Sequence, residues 1–337
     1  MHSDRFMERY IDMKSPLTGG RVKEVTTNET HTFRGYSFDV TARYYVCEDT
    51  GERFTETSQD AALLNELYSQ YRLKVGIPFQ DEIKAVREKY GLNLSQMNRI
   101  LGFGANQYAR YEEGYMPSES NGKMLKSIEK KDIMLNYLEL ARSEFSDVEY
   151  GRIRNKVMAA HEEENLVVER NIFYSNTERS ILNGFSELAP SKLKAMVEFF
   201  VSQEVELFPT KLNKEMFYAD FLHFRNHGRS ISGLKYQAIQ FGPVPYRFAT
   251  VYDNVESLIK EYVISHGQEC LKLRCPAADT SILSDAELET LATVIEKTRT
   301  MSTSQLIEES HKEVCWISHS GDRSFIPYSE SCTLKLL

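Results

Sequence analysis

Between Gly91 and Gly114 the chain reads GLNLSQMNRILGFGANQYARYEEG, a pattern that admits little besides two short helices joined by a glycine turn. Asn93, followed three residues later by Gln96, makes a capping box for the first helix. Met97, Ile100 and Leu101 form its inward stripe. Gly102 can take the left-handed conformation that ends this helix, and Gly104 lets the next one begin at once. In the second helix Tyr108 and Tyr111 turn inward, which leaves Ala105, Asn106, Gln107 and Arg110 on the outer face. Asn and Gln side chains pair with adenine, and Arg with guanine or phosphate. The stretch therefore predicts a helix-turn-helix that lays its second helix in a DNA major groove, rather than an ordinary helical pair in a scaffold.

A net charge of −8 over 337 residues looks wrong for such a module, so its distribution decides. From Arg72 to Lys131 there are 11 Lys/Arg against 7 Asp/Glu, a local +4; the remainder carries −12. A modestly basic module inside an acidic chain is compatible with DNA contact through one face. The length suits two or three domains. Without a run of eighteen apolar residues or a basic-then-apolar leader, a cytoplasmic chain with no membrane segment is expected. The five cysteines, Cys47, Cys270, Cys275, Cys315 and Cys332, are odd in number and irregularly spaced, which argues against a disulfide framework.

Upstream, Val22 to Thr26, Thr32 to Phe38 and Ala42 to Val46 read as short strands of a small sheet. Turn-like pieces flank them at Ser15-Pro16-Leu17-Thr18-Gly19-Gly20 and Cys47-Glu48-Asp49-Thr50-Gly51-Glu52. Paired turns of this kind carry the CxxC knuckles of a zinc ribbon. Here the four ligand slots hold Ser15, Thr18, Cys47 and Thr50, and one sulfur cannot make a structural zinc site, so no metal is expected. Ala61 to Leu73 reads as a helix leading into the DNA module. Phe79 to Tyr90 follows, with Ile83, Val86 and Tyr90 inward, and Ser118 to Lys130 with Asp132 to Phe145 close a five-helix bundle. The span 147–188, with its charged His161-Glu162-Glu163-Glu164 and polar Ser175-Asn176-Thr177, reads as a partly helical connector. Leu193 to Val205 is apolar over more than half its surface, as in a core helix. Leu212 to Asn226 puts Phe217, Phe221 and Phe224 on one face. Turn-rich pieces enclose a strand-like segment, Leu234 to Phe241, and Ser284 to Arg299 and Thr303 to Trp316 read as the last two helices, each with a Ser or Thr cap. The expected fold is mainly α with a small β-rich N-terminal region. Its parts are a β-rich domain over 1–58, a helix-turn-helix domain over 59–146, the connector over 147–188 and a helical domain over 189–337.

The run Gly104-x-Asn106-x-Tyr108-Ala109-Arg110-Tyr111-Glu112-x-Gly114 resembles the recognition-helix signature of MqsA-type antitoxins, within the Xre-like helix-turn-helix group. The resemblance implies that Asn106 reads bases and that Arg110 contacts bases or phosphate, with Gln107 and Ala105 beside them. Leu94 departs from it, since such domains usually carry there a Gln that meets the DNA backbone. Thr32-Phe33-Arg34-Gly35 and the two flanking turns resemble the zinc-binding half of the same family, which is its toxin-binding half. Three of the four cysteine ligands are replaced, so the zinc does not carry over. Further on, Thr210-Lys211-Leu212-Asn213-Lys214, Phe217-Tyr218-Ala219-Asp220-Phe221, Gly228-x-Ser230-Ile231-x-Gly233, Gly242-Pro243-Val244-Pro245 and Ser310-His311-x-Glu313-x-x-Trp316 resemble the Panacea, or SocA-like, antitoxin domain. That resemblance implies a mainly helical domain that neutralises a toxin protein. Its motif residues here include Lys211, Asn213, Asp220, Gly233, Gly242 and Pro243, and the surface that meets the toxin is not implied.

Sharper chemistry finds less support. His223 and His227 stand four apart on a helix, a metal-binding spacing, but no HExxH glutamate and no third ligand accompany them. Asp220, among aromatics, reads as a structural acid accepting hydrogen bonds from the glycine-rich turn rather than as a catalytic carboxylate. Cys315, His311 and His319 lack an oriented third group for nucleophilic catalysis. The expectation is a non-enzymatic antitoxin without cofactor, which binds a cognate toxin and, as a homodimer, its own operator DNA. A stand-alone regulator with a sensing C-terminal domain and a proteolytic adaptor remain open at this point.

Overall fold

The computed structural model describes residues 7–160, 178–204, 207–253, 255, 257–265 and 268–337. The charged piece at 161–164, the polar piece at 175–177 and the last residue of the expected core helix, Val205, lie outside the described residues. Helices predominate, with a small sheet at the N-terminal end. The chain divides into two compact units: Met1–Leu67 together with Arg170–Leu337, and Tyr68–Glu169. No helix among the described residues is long and apolar enough to cross a membrane.

The first unit opens with an antiparallel sheet in the order β1 (Met7–Lys14), β2 (Arg21–Phe33), β3 (Tyr36–Cys47) and β4 (Arg53–Phe54). β2 and β3 are the two arms of one long hairpin, in register from Val22↔Cys47 to Phe33↔Tyr36. The segment Thr32 to Phe38, expected as a strand of its own, is the tip of that hairpin. Arg34 and Gly35 explain it: both have positive φ, 48° and 84°. A two-residue hairpin turn needs that backbone twist, and glycine supplies it without steric cost. The inward side chains Val22, Val25, Val40, Ala42 and Tyr44 are buried.

Helix α1 (Thr57–Val75) follows, and the second unit is then built from α2 (Gln80–Lys89), α3 (Leu94–Leu101), α4 (Gln107–Glu112), α5 (Glu119–Ser127), α6 (Lys131–Leu140) and α7 (Asp147–Ala159). One core joins Ile83, Val86, Tyr90, Met97, Ile100, Leu101, Tyr108 and Tyr111 to Leu125, Ile128, Met134 and Leu138. Ile153, Val157 and Ala160 complete the same core. The bundle thus continues through α7, which the sequence assigns to the connector. Its i, i+4 apolar pair, Ile153 and Val157, is short enough to pass for part of a solvated segment.

The remaining part of the first unit surrounds α9 (Pro209–His227), whose residues Lys211 to Phe224 are all buried. Around it lie α8 (Pro190–Gln203), α10 (Phe248–Asp253), α11 (Asp285–Thr298), α12 (Thr303–His311) and α13 (Val314–Ser320). β5 (Tyr236–Ile239) pairs with β6 (Gly242–Pro245) and with β9 (Phe325–Ile326), and β7 (Ile259–Ser265) with β8 (Gln268–Arg274) forms a separate hairpin. Thr303 to Trp316, expected as one helix, breaks at Lys312. The cause is Glu313, whose buried carboxylate accepts bonds from the Lys335 N–H (2.7 Å), the Leu336 N–H (3.1 Å) and the Tyr218 hydroxyl (3.1 Å). Those bonds hold Glu313 in extended backbone, φ −66° and ψ 129°.

Candidate functional site

Helices α3 and α4 form the helix-turn-helix. Asn93 and Gln96 make the reciprocal capping box at the start of α3, with bonds of 2.8 and 3.0 Å, and Gly102 ends the helix at φ 65°. Asn106 then precedes α4 in the left-handed conformation, φ 65°, and its side chain caps nothing. The capping comes from Asn98 instead: its buried Oδ1 accepts the Tyr108 N–H at 2.9 Å. An orphan donor of the helix start is thereby satisfied from the preceding helix, and the Asn106 amide stays outside. Tyr108 is buried and its hydroxyl donates to the Ile83 carbonyl at 2.8 Å. Tyr111 meets Phe103 edge-on at 5.6 Å and accepts from the Asn121 amide at 2.8 Å. At the far end of α4, Glu112 takes both prongs of Arg87, at 2.6 and 3.0 Å. These anchors hold a six-residue helix that has little stability of its own.

Ala105, Asn106 and Arg110 are exposed and Gln107 is half-buried. The Arg110 guanidinium lies over the Tyr115 ring, 4.5 Å from its centroid, with no carboxylate partner among the described residues. The outer face of the second helix therefore carries an amide, a second amide and a free cation on a rigidly held backbone. Leu94, at the first position of α3, is 37% exposed and offers no donor. Asn98 is the residue that a reading of outward faces misses; its signal in the sequence is a polar side chain inside the stripe Met97, Ile100 and Leu101.

At the sheet, the two knuckle turns do converge. Gly19 donates to the Ser15 carbonyl at 2.8 Å and Gly51 to the Cys47 carbonyl at 2.8 Å. Ser15, Thr18 and Thr50 surround the Cys47 sulfur with hydroxyl oxygens, Thr18 at 3.3 Å while donating to Asp49, and hydrogen bonding, from Ser15 first, draws the buried thiol down to about 6. One thiol with three hydroxyls does not fit structural zinc, which takes thiolates and imidazoles. These hydrogen bonds cross-link the two turns. Among the described residues no three His, Cys, Asp or Glu side chains gather to hold a metal ion.

In the helical part, the conspicuous motif residues point inward. Asp220 is fully buried; its Oδ1 accepts from the Ile231 and Ser232 N–H groups, both at 2.9 Å, and its Oδ2 from the Ser232 and Tyr236 hydroxyls. Burial pushes this carboxyl upward while the four donors pull the other way. Lys211 pairs with Glu204 at 2.6 Å, and Asn213 accepts from the Tyr252 hydroxyl at 2.6 Å. Gly233 packs against the Glu187 carbonyl, and Gly242, at φ 94°, against Lys214 and Ser310. Lys214 donates to the Pro243 carbonyl at 2.9 Å, and burial lowers its ammonium to about 7. All six motif residues are buried, so they shape this domain from within. The His223 and His227 rings lie 4.4 Å apart, tilted by 32°, and His223 Nδ1 is taken up by the Thr290 hydroxyl at 3.0 Å. His311 stacks on Trp316, His319 binds Ser324 and Glu330, and Cys315 is buried with its thiol pushed up, so these three do not form one constellation.

Two family models match this chain in succession. Residues 13–139 match the antitoxin component of bacterial toxin-antitoxin systems, MqsA. Residues 212–317 match the antitoxin SocA-like, Panacea domain. Both are antitoxin families. The first match takes in the hydroxyl-lined turns and the helix-turn-helix, the second the aromatic helix α9, the Asp220 cluster and the β5–β6 hairpin. Helix α7 lies in neither. No curated protein and no solved structure matches the chain.

Proposed function

We propose that this chain is the antitoxin of a type II toxin–antitoxin pair, which blocks a cognate toxin protein through its C-terminal domain and represses its own operon through the helix-turn-helix. The observation that carries this is the succession of two antitoxin matches in one chain. Neutralisation of this kind is occlusion by a protein interface and needs no catalytic group or cofactor. The buried motif residues Lys211, Asn213, Asp220, Gly233, Gly242 and Pro243 hold the toxin-binding domain in shape, and the toxin meets the surface around them. On the DNA side, Asn106 and Arg110 read base edges, with Gln107 and Ala105 beside them. A homodimer presents two such helices to half-sites about one helical turn, or a multiple, apart.

The test is co-expression. A neighbouring gene that arrests growth alone should be rescued by this chain, and the two proteins should copurify. Arg110→Ala and Asn106→Gly should each cost about 1–3 kcal/mol of operator affinity while sparing that rescue. Glycine is the informative change at residue 106, because it keeps the left-handed backbone while removing the amide. Growth arrest that this chain does not relieve would remove the antitoxin assignment.

A further inference from the structure

Helix α7 is held alongside α3 at both ends. Arg99 of α3 binds Glu149 through two bonds, at 2.9 and 3.3 Å, and Lys156 donates to the carbonyl of Gly91, just ahead of α3, at 2.7 Å. The two helices therefore run antiparallel. They leave a groove of about 480 Å³ whose walls include Gln96 from α3, Ser146 at the cap of α7, and Val148, Glu149, Arg152 and Lys156 from α7. Both acids of α7 are used within the unit: Glu149 by Arg99, and Asp147 by Arg142. Arg152 is exposed, with no ion pair or hydrogen bond among the described residues, and Lys156 is exposed with donors to spare. The groove is thus lined by cations whose counter-charge is not supplied from within.

We infer that this groove holds a phosphate of the DNA backbone, with Arg152 as its contacting residue, so that α7 extends the footprint of the helix-turn-helix. The first helix of such a motif crosses the DNA backbone while the second enters the major groove. The start of α3 brings little charge to that crossing: Leu94 is apolar, and Asn93 and Gln96 are engaged in capping each other. Arg152, across the groove from Gln96, puts a guanidinium there, and guanidinium matches phosphate in charge and bidentate geometry. The bond from Lys156 to the Gly91 carbonyl ties α7 to the start of α3 beside the groove. This inference rests on the proposed DNA binding and adds a helix that lies outside both family matches.

The experiment uses the full chain and a labelled duplex of about 30 base pairs of arbitrary sequence, because phosphate contacts are insensitive to sequence. Binding is followed by anisotropy between about 50 and about 200 mM salt. Each phosphate contact contributes about 0.9 to the slope of log affinity against log salt. Arg152→Gln should lower the slope by that amount, so that the same rise in salt weakens the variant about 3.5-fold less than the wild type. Arg154→Gln removes the same charge two residues on, away from the groove, and should leave the slope unchanged. A wild-type slope in Arg152→Gln, or an equal fall in Arg154→Gln, overturns the inference while the DNA-binding reading stands. A wild-type chain that binds no duplex at any of these salt concentrations sinks both. Tight binding of the wild type to an acidic peptide but not to the duplex would assign the groove to a protein partner and also overturn it.

Discussion

Asn106 can turn its amide outward only because Asn98 satisfies the start of α4 from inside the bundle. Asn98→Ala should leave the Tyr108 N–H buried and unpaired, which costs about 1–3 kcal/mol. The expected result is a lower urea midpoint at unchanged slope, together with weaker duplex binding, whereas Arg110→Ala weakens binding at wild-type stability. His223 provides a second residue-level test. It is buried, its Nδ1 lies 3.0 Å from the Thr290 hydroxyl, and burial beside His227 lowers its pKa from 6.5 to about 3. The folded protein therefore refuses a proton that the unfolded chain takes up below 6.5. The neutral ring's contribution is fully present above 6.5 and is lost progressively as pH falls from 6.5 towards 3. Between pH 6.5 and 5 the loss is about 2 kcal/mol, measurable by urea unfolding, and His223→Gln should remove most of that slope. An unchanged slope in the variant would put the acid sensitivity elsewhere.

At the scale of elements, much of the α-helical layout was legible because apolar periodicity and Ser, Thr or Asn caps are local signals. Asn93 and Gln96 read correctly as a capping box, as did the aromatic face Phe217, Phe221 and Phe224. The features that were not legible share a physical cause: they are fixed by partners far away in the chain. The break at Lys312 depends on Glu313 meeting residues 335 and 336. The hairpin β7–β8 and helix α10 carry too little periodicity to stand out. The knuckle turns were visible, but their replacement chemistry, three hydroxyls around the Cys47 sulfur, appears only once the turns face each other. The β5–β6 hairpin gives the element-scale prediction. Gly242 has φ 94°, and a Cβ there would meet Ser310 Oγ at 2.5 Å and Lys214 Cε at 2.7 Å. Gly242→Ala combines a left-handed backbone penalty of about 1–2 kcal/mol with overpacking of about 1–3 kcal/mol. A fall of about 2–5 kcal/mol in unfolding free energy is expected. A loss under 1 kcal/mol would mean that the hairpin shifts freely off α9.

For the whole molecule, chain order and spatial order differ. The sequence sets residues 1–58 apart as a small domain, yet the sheet and the first half of α1 cluster with 170–337, separated in sequence by the entire helix-turn-helix unit. Arg43 and Asn65 donate to the carbonyls of Arg225 and His227, at 3.5 and 2.8 Å, and Arg9 donates to that of Leu334 at 3.3 Å. Gly228, at φ 70°, lies so close to α1 that a Cβ would come within 2.6 Å of Asn65 Cβ. Between these elements is a cavity of about 20 Å³, lined by Arg43, Gln59, Glu66 and Arg225, which has room for about one water. Such long-range pairing leaves no periodic trace in either segment, and so it could not be read from local pattern. It makes a strong prediction about fragments. Residues 68–160 carry a closed core and should unfold cooperatively on their own and still bind duplex DNA. Residues 178–337 alone would uncover Gly228 and the buried guanidinium of Arg225, and should melt at a lower urea concentration than the same residues joined to 1–67. Circular dichroism during urea unfolding of the two fragments and the full chain decides it. If 178–337 unfolds at the midpoint of its counterpart in the full chain, the sheet contributes nothing to the helical domain, and the proposed toxin binding can be mapped on the two parts separately. If it does not, a mutation in the sheet that weakens the proposed neutralisation must first be checked for its effect on the stability of the helical domain before it is counted as an interface residue.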